Sequence, residues 1–109
     1  MQVDITSNDA NTTVAPTGDV DLSVSRDLQS ALKKVMDDKP ERVIVDLSGV
    51  PYMDSSGVAT LVEAMQISRK QATRLVLCGM QEKVRSIFEI ARLDKVFTIV
   101  DDPATADSA

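Results

Sequence analysis

The chain has 109 residues, 43% of them apolar, with 17 acidic and 12 basic side chains, a formal charge of -5 at pH 7 and no histidine. This suits one compact domain without a disulfide staple, able to bury roughly two-thirds of the surface that its unfolded chain exposes. The acidic balance and the three aromatics, Tyr52, Phe88 and Phe97, speak against direct nucleic-acid binding, and the lack of histidine removes Ser-His-Asp or Cys-His catalysis and any histidine-containing metal site.

Neither a cationic leader with an apolar core nor an 18-residue apolar run is present, so the expected location is the cytoplasm, without membrane insertion. The pairs Asp19/Asp21 and Asp101/Asp102 lack the acidic loop pattern of a Ca²⁺ or Mg²⁺ site; they read as solvated acids, and no metal is expected. Cys78 lies in an apolar run and reads as a small buried hydrophobe.

In chain order, residues 3–6 and 12–15 are β-prone around the turn-like 7–11, which predicts an N-terminal hairpin. Gly18-Asp-Val-Asp21 breaks that pattern. Ser23 or Ser25 can then cap a helix whose face is Leu28, Ala31, Leu32, Val35 and Met36, ending before Pro40. Residues 43–47 predict a strand buried on both faces. A helix follows to about Lys70, with Val58, Leu61, Val62 and Met65 at helical spacing.

A second buried strand over 75–78 precedes a helix with Val84, Ile87, Phe88 and Ala91 on one face, and 96–100 predicts a last short strand. Alternating strands and helices imply a parallel block with right-handed crossovers, joined to the hairpin in a mixed α/β fold. The ordered core is expected over about 3–100, with at most one frayed turn in the polar tail 101–109.

The most informative segment is Val50-Pro-Tyr-Met-Asp-Ser-Ser-Gly57, between the central strand and its helix. A helix start aims backbone amides outward and favours negative charge, so Ser55 and Ser56 stand where a phosphate is welcome, with Asp54 or Ser55 as cap. A capping sequence alone would look the same.

The order of the segments adds a second signal. Gly18-Asp-Val-Asp21, Val43-Ile-Val-Asp-Leu-Ser48, Tyr52-Met-Asp-Ser-Ser-Gly57, Leu75-Val-Leu-Cys-Gly79 and Val84-Arg-Ser-Ile-Phe88 together resemble the STAS domain family, specifically its stand-alone bacterial anti-sigma factor antagonists, over about residues 3–100. Two departures stand out. Ala72-Thr73 replaces the Gly-Gly of many relatives, so that turn is expected to use other geometry, and the family's C-terminal helix is cut short.

The resemblance implies a partner switch in which the unmodified antagonist binds an anti-sigma factor serine kinase and frees the sigma factor. Phosphorylation of the signature serine then ejects the antagonist, and a serine phosphatase resets it. Carried over by position, the phosphoacceptor is Ser55, with Ser56 as runner-up; Asp19, Asp21, Asp54, Ser55, Ser56 and Gly57 are the expected partner-binding residues. Gly57 is expected to keep the approach open, or equally to serve only the backbone geometry of the helix start.

No cofactor and no catalysis of its own are implied, since ATP belongs to the kinase. A receiver domain phosphorylated on Asp54 fails for want of the acidic pair and the lysine it needs, and a hydrolase elbow fails for want of a base. The remaining alternative is a STAS scaffold or regulatory subunit, serving a lipid-transport ATPase or a larger signalling assembly.

Overall fold

The computed structural model describes residues 1–8 and 10–107; Asp9 of the hairpin turn and Ser108 and Ala109 of the tail lie outside the described residues. Five strands, β1 (Gln2–Asn8), β2 (Asn11–Thr17), β3 (Arg42–Asp46), β4 (Arg74–Cys78) and β5 (Thr98–Val100), lie side by side in that order. β1 pairs antiparallel with β2, and every later pairing is parallel. The hairpin and the parallel block are therefore both present, joined at β2–β3. Helices α1 (Ser25–Asp37), α2 (Ser55–Lys70) and α3 (Glu82–Ile90) make the crossovers, and a single turn, α4 (Pro103–Ala106), ends the fold.

β3 and β4 are apolar on both faces because both faces are covered. Val43, Val45, Leu75 and Leu77 pack with Leu28, Leu32, Leu61 and Phe88, while Ile44, Val76 and Cys78 form a second cluster with Ala106. Phe88 meets Phe97 edge to face, with ring centroids 5.5 Å apart. Burial, with Asp46, Asp102 and Asp107 adding repulsion, pushes the Cys78 thiol up to about 12, as an inert core cysteine requires. Among the described residues no helix is long and apolar enough to cross a membrane.

Several expectations need correction. Neither Ser23 nor Ser25 caps α1: Val24 occupies that position without a side-chain bond. Asp21 takes over, because its carboxylate accepts from the Ser23 amide (3.0 Å) and hydroxyl (2.6 Å) while its carbonyl accepts from Ser25 N–H (2.9 Å). Ala91, expected on the buried face of the third helix, lies exposed beyond its end. The last strand is shorter than 96–100, since a 3₁₀ turn at Leu93–Lys95 takes Phe97 N–H to the Leu93 carbonyl (3.1 Å).

The tail forms its one turn, and that turn is fastened rather than frayed. Asp102 caps it through Ala104 N–H (2.9 Å), Ala106 is fully buried, and Arg42 donates to the Asp107 carbonyl (2.6 Å). Asp101 pairs with Arg85. Asp101 and Asp102 are thus structural acids as well as solvated ones. Ala72 sits at φ 59°, in the left-handed region that glycine ordinarily fills, so this turn holds an alanine in a conformation its side chain disfavours.

Candidate functional site

Parallel strands deliver their following loops to one end of the sheet. There the loop after β2 runs beside the loop after β3: Gly18 N–H donates to the Gly49 carbonyl (2.8 Å), Val20 N–H to Tyr52 (3.0 Å), and Asp54 N–H to Val20 (3.0 Å). These bonds make Val20 and Met53 an isolated parallel bridge, and both side chains are fully buried. Asp19 and Asp21, on either side of Val20, point out and are exposed. The expected partner-binding acids and Asp54 are thereby brought to one edge. The bridge itself was missed from sequence, although the acid-Val-acid alternation at 19–21 is the sign of a short extended segment with its apolar residue turned inward.

Asp54 caps α2 from an extended backbone (φ -93°, ψ -173°). One carboxylate oxygen accepts from the Ser56 amide (2.9 Å), the Ser56 hydroxyl (2.5 Å) and the Gly57 amide (3.4 Å). These bonds, the Ser56 hydroxyl foremost, with a further one from the Leu22 backbone, hold its carboxyl below the usual value of 3.8 against the opposing effect of burial. It is therefore an anion at neutral pH.

The two serines are not equivalent. Ser56 is part-buried, its hydroxyl committed to Asp54 and its carbonyl accepting from the Thr60 hydroxyl (2.9 Å). Ser55, the first residue of α2, is exposed, and no hydrogen bond among the described residues engages its hydroxyl. Gly57 differs from expectation. A Cβ there would point inward, 2.5 Å from Met53 Cγ and 2.9 Å from Val20 Cγ1, so glycine lets the helix start close over the bridge and does not clear an outer approach.

The family model of the STAS domain matches residues 2–106. The chain belongs to the STAS family. This STAS chain is similar to the anti-sigma-B factor antagonist of Listeria monocytogenes, 29% identical over 82 residues that make up 75% of this chain and 72% of that protein. Among solved structures, an anti-sigma factor antagonist from Mycobacterium paratuberculosis shares its fold with a TM-score of 0.91 at 21% identity, covering 98% of this chain and 91% of that one. The Bacillus cell fate determinant SpoIIAA in its phosphorylated form matches with a TM-score of 0.75 at 16% identity, over 98% of each chain.

Proposed function

We propose that this STAS domain is an anti-sigma factor antagonist working by partner switching. Unphosphorylated, it binds an anti-sigma factor serine kinase and frees the sigma factor; phosphorylation of Ser55 releases it, and a serine phosphatase restores it. The observation that carries the choice of residue is the contrast at the helix start: Ser55 is exposed with an unengaged hydroxyl, whereas Ser56 is tied to Asp54. Anti-sigma factor antagonists among the relatives and a phosphorylated form of one structural neighbour support the reading. The domain has a regulatory task in the cytoplasm, and catalysis and ATP belong to the kinase.

The chemistry of such a switch is electrostatic. A phosphoryl group adds about -1.5 to -2 charges, and the helix N-terminus returns only about 0.3 to 1 kcal/mol, opposed by the neighbouring Asp54 carboxylate. Within the domain these effects nearly cancel. Against a partner surface without a matching cation, burying the same charge costs several kcal/mol, equivalent to a hundredfold or more in affinity. The modification therefore acts on the interface and leaves the fold alone.

Incubation with the cognate kinase and ATP, followed by mass spectrometry, is expected to place one phosphate on Ser55. Absence of modification, or modification that survives Ser55→Ala, would sink the assignment. Ser55→Asp is expected to weaken the kinase complex while leaving folding stability within about 1 kcal/mol.

A further inference from the structure

Five large apolar side chains are exposed among the described residues: Ile5, Leu22, Tyr52, Ile90 and Val96. Leu22 and Tyr52 bracket the start of α2, and Leu22 is the more exposed of the two, at 77%. Leu22 is held on a rigid turn. The preceding Asp21 carbonyl accepts from Val24 (3.1 Å) and Ser25 (2.9 Å), and Val20 is locked to Tyr52 and Asp54 through the bridge. An apolar side chain presented to water from a preformed backbone turn adds little backbone-ordering cost when a partner covers it, a property of an interface anchor.

We infer that Leu22 is the apolar anchor by which this domain engages its kinase, inserted into an apolar pocket whose rim carries basic side chains. The inference rests on the partner-switching reading above and assigns the contact that sets partner choice. The basic rim follows from the surroundings: Asp19, Asp21 and Asp54 stand beside Leu22 on the same edge. Those carboxylates repel an anionic lipid surface, and a second copy of the chain would bring the same acids against one another. A cationic protein surface satisfies both the leucine and its acidic border. Continuity with Ser55 places the anchor inside the area that a phosphate would disrupt.

Ile90 supplies the comparison within the same molecule. It is 83% exposed, yet it ends α3, the helix that returns from the site end of β4 toward the opposite end of the sheet. Exposure is matched and position is reversed.

Isothermal titration calorimetry of the purified serine-kinase anti-sigma factors of the source organism against wild type, Leu22→Ala, Leu22→Glu and Ile90→Ala tests the assignment. Wild type is expected to bind at least one kinase, with affinity falling as salt rises. Leu22→Ala should lose about tenfold to a hundredfold, the range for withdrawing a buried leucine side chain, and Leu22→Glu more, while Ile90→Ala matches wild type. Unchanged melting temperatures would exclude misfolding, as expected for exposed positions. Tight binding undiminished in Leu22→Ala overturns the anchor and leaves the partner-switching reading standing. Binding of wild type to no kinase overturns both, and binding insensitive to salt overturns the basic rim.

Discussion

Helix α2 is finished differently at its two ends. At its start, one oxygen of Asp54 gathers three donors, and Gly57 lies where any side chain would strike Met53 and Val20. At its finish, the chain turns through Ala72 in a left-handed conformation that costs an alanine about 1 to 2 kcal/mol. That turn is closed from within by Thr73 N–H donating to the Ser68 carbonyl (2.9 Å), and braced from outside by Gln71 Nε2 donating to the Met36 carbonyl (2.9 Å) and Thr73 Oγ1 donating to the Pro40 carbonyl (2.9 Å). Local fit specifies the first end. At the second a local backbone closure is braced by neighbouring elements, and together they tolerate a residue that the backbone does not favour.

The largest expected effect breaks the well-fitted end. Gly57→Val should destabilise by about 3 kcal/mol or more, and Gly57→Ala by about 2, because overpacking against two buried side chains exceeds the roughly 1 kcal/mol that alanine gains in helix propensity. Urea denaturation measures both. Wild-type stability of the alanine variant would mean that Met53 moves aside easily and that the fit is loose.

Removing the cap by Asp54→Ala should lower the thermal midpoint in a manner that depends on pH. The folded carboxyl titrates below 3.8, chiefly through the Ser56 hydroxyl, so its stabilising contribution is complete above that value and is lost as pH falls through the folded-state value. Wild type and variant should therefore differ at neutral pH and converge in strong acid. A gap that persists under acid would assign the effect to packing.

At the opposite end, Ala72→Gly should stabilise by about 1 kcal/mol, the strain relieved at positive φ less the added freedom of the unfolded chain. A loss instead would show that the turn is not strained. The smallest effect belongs to Ser55→Ala, expected within about 0.5 kcal/mol of wild type, with Ser56→Ala costing more because the hydroxyl bonded to Asp54 is removed. Equal losses would mean that the two serines are structurally alike.

The start of α2 was legible because its signals are local: Asp54 precedes an apolar periodicity, and a cap needs only its own next three residues. β3 and β4 were legible for a similar reason, since a short uninterrupted apolar run bounded by turn residues suits a strand buried on both faces. What escaped depended on distant partners. Nothing near Gly57 announces that its missing side chain faces Val20, and the alternation at Ser23 and Ser25 suggests caps until Asp21 is seen accepting from both. Ala106 reads as part of a polar tail, and only the sheet surface of Ile44, Val76 and Cys78 gives it a place. Ala72 takes a positive φ that alanine disfavours, and nothing in its residue type announces it.

The bridge between Val20 and Met53 gives this end of the domain the hydrogen-exchange character of a strand. Amide protons of Val20 and Asp54 are bonded across two segments above fully buried side chains, so their exchange with solvent should follow the opening of the sheet and not the quicker fraying of a loop. A group added at Ser55 then meets a stiff support, and a partner would feel nearly all of the change.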